Sequence, residues 1–157
     1  MIPTTFEEHF APVAAYWGIL GKDATGAHYT VGRGTPCIFT TDEYGQADRL
    51  CPVDNATVGY ASGAIARAID PVFVMSTTAQ VDGRDGRIAY IDGRQSPVIS
   101  TSGYETGYSG SESGDVFMQN NGNLASSDGN SRGRRVGRYV ERQKSGCISF
   151  EFSPADS

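Results

Sequence analysis

From residue 71 onward this chain is cut into short apolar runs by dipeptides that specify tight turns. Asp82-Gly83, Asp85-Gly86, Asp92-Gly93, Asn121-Gly122 and Asp128-Gly129 each place a residue that tolerates the left-handed region before a glycine that adopts it freely. Between them lie strand candidates at residues 71–77, 87–91, 97–101, 115–119, 135–140 and 147–152, rich in β-branched and aromatic side chains. Runs this short, so closely punctuated, leave no room for helices of useful length. The expected fold class is all-β, a small β-barrel or sandwich-like domain with an N-terminal arm. Closing or nearly closing the sheet also removes aggregation-prone edges.

The first fifty residues read differently. Phe6, Phe10, Val13, Ala14 and Trp17 recur at three- and four-residue steps, with Thr4 or Thr5 as a cap and Glu7 or Glu8 in the first turn. That spacing predicts a short helix, which Pro12 would bend or end. Two uses remain open. The helix packs on its own domain, or it is an arm whose aromatics, Phe6, Phe10, Tyr16 and Trp17, anchor in a neighbouring protein. Residues 21–55 carry Gly26, Gly32, Gly34, Pro36, Gly45 and Pro52, which permit one or two short strands such as 36–41 in a loop-rich lead-in. Residues 56–70 suit either a small-residue strand or one helical face, and the strand or a mixture is favoured because Pro71 follows directly. The expected division is residues 1–50 as arm and lead-in and 51–157 as the β-domain.

Composition narrows the function. The 157 residues carry a net charge of −5, unevenly spread. Arg132, Arg134, Arg135, Arg138, Arg142 and Lys144 crowd a segment whose one acid is Glu141, while the rest of the chain holds 7 basic and 17 acidic residues. A polarised surface suits docking on charged protein and argues against a general nucleic-acid binder, whose whole domain tends to be basic. The start of the chain is acidic and has no apolar core of a signal peptide, and no apolar run approaches the ~20 residues that span a bilayer. Cys37, Cys51 and Cys147 cannot all pair within one chain, and no Cys-x-x-Cys occurs, so free thiols in a reducing cytoplasm are expected, a Cys37–Cys51 bridge being the lesser alternative.

No residue pattern announces catalysis. His9 and His28 are the only histidines, and Asp82, Asp85, Asp92 and Asp128 sit in Asp-Gly turns whose local hydrogen bonding explains them. A hydrolase built on His28 and an acid is the weakest of the functions considered. Asp82, Asp85 and Asp92 lack the spacing of a calcium loop, and Gly32-Arg33-Gly34 lacks the helix start of a phosphate loop. Neither a metal nor a cofactor is expected. The Tyr-Ser-Gly stretch at 102–114 reads as an exposed loop in which Tyr104 and Tyr108 are either solvated or a contact surface. Along residues 134–142 the alternation of Arg with Val implies a register break near Gly137. Arg134, Arg135, Arg138, Tyr139 and Arg142 then form a charge-protected edge, a cationic patch for a partner or sister subunit, or, least in keeping with a single stacking tyrosine, a nucleic-acid contact.

Gly114-Asp115-Val116-Phe117, Asn121-Gly122, Val136-Gly137-Arg138-Tyr139 and Ile148-Ser149-Phe150-Glu151-Phe152 follow one another in an order that resembles the capsid decoration, or cement, proteins of tailed bacteriophages. The resemblance spans about half the chain, and the arginine-rich final hairpin and long Tyr-Ser-Gly loop depart from it. It implies a compact β-domain, usually a homotrimer, on the outer capsid surface of the virion, bound to the major capsid protein and clamping neighbouring copies of it. Such a protein needs a rigid fold, a self-complementary face and avidity, and no active site. The alternative is a receptor- or glycan-binding module of a head or tail fibre, with its site on Tyr104 and Tyr108.

Overall fold

The computed structural model describes residues 2–9, 15–54, 69–77, 86–105, 114–126, 134–141 and 145–154. Among them are eleven strands and no α-helix: β1 (Phe6–His9), β2 (Tyr16–Ile19), β3 (Pro36–Thr40), β4 (Arg49–Pro52), β5 (Val72–Val74), β6 (Arg87–Ile91), β7 (Val98–Thr101), β8 (Asp115–Met118), β9 (Leu124–Ala125), β10 (Arg134–Tyr139) and β11 (Ile148–Phe152). They form two antiparallel sheets, one in the order β1-β7-β11-β10-β8-β9 and the other β2-β6-β5-β3-β4. All-β architecture is thus observed, as a sandwich. Each of the six strand candidates after residue 70 overlaps a strand, and the two-residue β9 is an addition.

Period-2 alternation sends one row of side chains from each sheet into a shared core: Ile38, Phe73 and Ile91 from the five-stranded sheet, and Phe6, Ile99, Val116, Val136, Phe150 and Phe152 from the six-stranded one. Phe73 is the hub. Its ring lies 5.2 Å from Phe6, 4.9 Å from Phe152 and 6.2 Å from Phe150, the last two edge-to-face.

The five-stranded sheet is covered on its other face too. Leu20, Val31, Cys37, Leu50, Val72, Val74 and Ile88 form a second buried cluster, with Tyr29, Phe39 and Tyr90 packed against it. This cluster exists because the sheet curls until its two end strands meet again: Leu20 bridges Leu50 in parallel, and Gly21 N donates to Leu50 O at 2.9 Å. Gly18 permits the approach, since a Cβ there would sit 2.7 Å from Leu50 Cδ1. Central strand β5, buried on both faces, is accordingly an unbroken apolar triplet, Val72-Phe73-Val74.

The expected N-terminal helix is replaced by strands. Phe6 pairs with Thr101 and His9 with Val98 in β7, while Tyr16 pairs with Tyr90 and Ile19 with Arg87 in β6. Phe6 and Trp17 therefore belong to different sheets, and their spacing is not that of one helical face. Cross-strand partners some 70–95 residues away pair the backbone of both segments, and this tertiary pairing overrides the three- and four-residue spacing of the aromatics. Residues up to 50 are also woven into both sheets with the later strands, and residue 50 itself lies within β4. Phe10, Pro12 and Val13, with most of 56–70, fall outside the described residues.

The register break implied near Gly137 is present: β8 partners shift between Arg135 and Gly137, which turns Val136 into the core. A Cβ at residue 137 would overlap the backbone carbonyl oxygen of Glu151. The three cysteines are free and buried. Burial, then the charge of Asp42, raises the Cys51 thiol to about 12, and burial raises Cys37 as well.

Gly137→Ala should cost about 3 kcal/mol or more in urea unfolding, because β10 and β11 must separate, whereas Arg138→Ala on the same strand should cost under about 1 kcal/mol. An equal, small cost for both would contradict the register. The folded-state pKa of Cys51 lies above its ordinary 9.0, so the fold retains protons that the unfolded chain releases. The Cys51 contribution to stability should be fully present below pH 9 and be lost as pH rises toward 12, so Cys51→Ala should lessen the alkaline fall in stability while Cys37 keeps its own share. In the native protein at neutral pH, an aromatic disulfide reagent should leave all three thiols unmodified.

Candidate functional site

The surface feature that burial cannot explain is Trp17. It lies on β2, an end strand of the five-stranded sheet, and its side chain is 69% exposed, the most of any large apolar residue described. Its neighbour Tyr16 points to the opposite face of the strand. There the Tyr16 ring lies 5.8 Å from Tyr90, and Tyr90 meets Phe39 edge-to-face at 5.2 Å. The Arg94 guanidinium covers Tyr16 at 4.6 Å from the ring centre. Of the four residues expected as an aromatic arm, Tyr16 and Trp17 thus stand at the surface. Phe6 is withdrawn from that role, being 5% exposed and packed on Phe73, and Phe10 lies outside the described residues.

Beside this aromatic row opens a cavity of about 300 Å³ lined by Phe39, Tyr90, Asp70, Asp92, Arg94 and Pro154, among others. Asp92 caps its own turn by accepting from the Arg94 backbone N–H at 3.0 Å, and its other oxygen takes Arg94 Nε at 2.8 Å. Asp70 accepts from Arg134 Nε at 2.6 Å. Burial, then the Asp92 charge, raises the Tyr90 hydroxyl. Asp92 had a sequence signal only as a turn residue, and nothing local marked Asp70, Tyr90 or Arg94 as neighbours. They meet because β5 and β6 are adjacent strands and the turn after β6 folds back toward Pro154.

The arginine-rich strand is partly consumed inside the molecule. Arg134 binds Asp70, and Arg135 binds Asp115 at 3.0 Å and donates to Ser153 O at 3.2 Å. Both side chains are only 18% exposed, so they act as struts across the strand ends. Arg138 is exposed, opposite Glu151 and Asp115 on the neighbouring strands. Tyr139 packs against the inter-sheet core, and burial, with a smaller part from Glu105, raises its hydroxyl to about 12. Arg142 lies outside the described residues. Of the tyrosine loop, Tyr104 is bridged to Leu124 and packs on the core, while Tyr108 falls outside the described residues. Tyr104 and Tyr139 both pack against the inter-sheet core.

His28 Nδ1 donates to Leu20 O at 3.2 Å, a structural bond within the curled sheet. His9 Nε2 lies 2.8 Å from Ser100 Oγ, which in turn lies 2.6 Å from Ser149 Oγ. This His–Ser–Ser row crosses β1, β7 and β11. Nothing in the sequence marks it, because its members are 91 and 49 residues apart. A nucleophile must reach its substrate, and Ser100 is fully buried while Ser149 is 3% exposed. The row cross-links three strands. Among the described residues no three His, Cys, Asp or Glu side chains gather as metal ligands, and Asp82 and Asp85 are outside them. No protein-family profile, characterised protein or solved structure matches this chain.

Proposed function

We propose that the protein is a structural docking module that acts by binding, without transforming a substrate. In this reading it sits as a homotrimer on the outer surface of a phage capsid and stabilises contacts between major capsid proteins. The observation that carries the docking is Trp17: a large, rigid apolar side chain held in water on an end strand of a stiff sandwich. Exposed tryptophans of this kind are the usual anchors of protein interfaces. Exposed Arg138 adds a charge for steering at the opposite sheet. The capsid as partner is supported by the order of short motifs between residues 114 and 152. A second reading, a receptor- or glycan-binding module, is favoured by one observation, the aromatic-walled cavity beside Tyr90.

The test is sedimentation with shells assembled from the major capsid protein of the same genome. The wild-type protein should travel with the shells in multiples of three. Trp17→Ala should keep its thermal midpoint and lose about 30-fold in affinity, as a hot-spot residue does. Wild-type protein remaining at the top of the gradient, or a Trp17→Ala variant bound as tightly as wild type, would overturn the reading.

A further inference from the structure

We infer that the cavity between the Phe39–Tyr90 wall and the Asp92–Arg94 turn binds a neutral saccharide ring. Its volume, about 300 Å³, lies at the lower end of ligand pockets, which run from roughly 300 to 1,000 Å³. That size suits one or two sugar rings better than an extended chain. The lining has two chemistries in one space. Phe39, Tyr90 and Pro154 give an apolar wall, and Asp70, Asp92 and Arg94 give a charged rim. A pyranose has the same division, with an apolar C–H face and a rim of hydroxyls.

Charge balance selects a neutral ligand. Asp92 is already paired with Arg94, and Asp70 with Arg134. A cation arriving at either carboxylate would compete with a guanidinium in place, and an anion arriving at Arg94 would compete with Asp92. A hydroxyl displaces neither. A carboxylate offers about four lone-pair sites and a guanidinium five N–H donors, so each keeps capacity after its ion pair is made. Sugar hydroxyls can donate to the first and accept from the second. The rim is also held in place beforehand: the Asp92 turn fixes the carboxylate, and the Tyr16 ring holds the guanidinium at 4.6 Å. A rim already ordered loses little entropy on binding.

The site rests on the second reading above and is independent of capsid docking. Saturation-transfer NMR on the full chain, with the methyl glycosides of glucose, galactose, mannose and N-acetylglucosamine, tests it. Methylguanidinium and acetate serve as charged controls. At least one glycoside should bind with Kd near or below about 10 mM and receive saturation mainly at its ring C–H protons. Arg94→Ala and Asp92→Asn should each weaken it at least tenfold. Backbone amide shifts of the wild-type protein should move at Val72, Gly93 and Arg94, a readout that needs no variant to fold. No glycoside binding at that concentration would overturn both this site and the sugar-binding reading. Glycoside shifts mapping to Tyr104 instead would overturn this site alone, as would tighter binding of either charged control.

Discussion

Strand β5 is three residues long, and both halves of the interior depend on it. Phe73 fills the space between the sheets, touching Phe6, Phe150 and Phe152, while Val72 and Val74 point the other way into the second cluster. The demand that both its faces be dry forces the five-stranded sheet to curl over Val72 and Val74, and the curl brings Leu20 to Leu50. Trp17 is then carried on the rim of that curl, and Tyr90 and Phe39 face the cavity at its mouth. The surface features follow from the way the interior is closed.

Much of the later chain was legible because its strands are separated by turns with distinctive chemistry. Arg87–Ile91 is found where the sequence placed it, and the break at Gly137 followed from the clash between cation–apolar alternation and a regular strand. The N-terminal segments were misread for a physical reason. Phe6-Glu7-Glu8-His9 is too short to show a period, and what makes it a strand is β7, some ninety residues later. The second core was hidden likewise. Leu20, Val31, Cys37 and Leu50 look isolated among glycines and prolines until the curl assembles them. The candidate sites were the least legible part. The cavity is made by residues from four separate stretches, and the His9–Ser100–Ser149 row from three different strands.

Polar groups inside the molecule are spent on holding it together. Arg134 and Arg135 tie strand ends to Asp70 and Asp115, and the serine pair and His9 lock the outer face of three strands. The arginines that sequence alone assigned to a partner are in this way divided, with Arg138 on the outside. Among the described residues the surface carries an exposed indole on β2 and an aromatic-walled cavity on the other face of the sheet. Both are proposed as recognition features, and both stand on strands of the five-stranded sheet.

The most direct test of the docking account is a cryo-electron microscopy map of shells bearing the bound protein. The account predicts three copies around a local three-fold position, with the Trp17 indole buried against the major capsid protein. A map with no added density, or with bound copies whose Trp17 faces solvent, would contradict it.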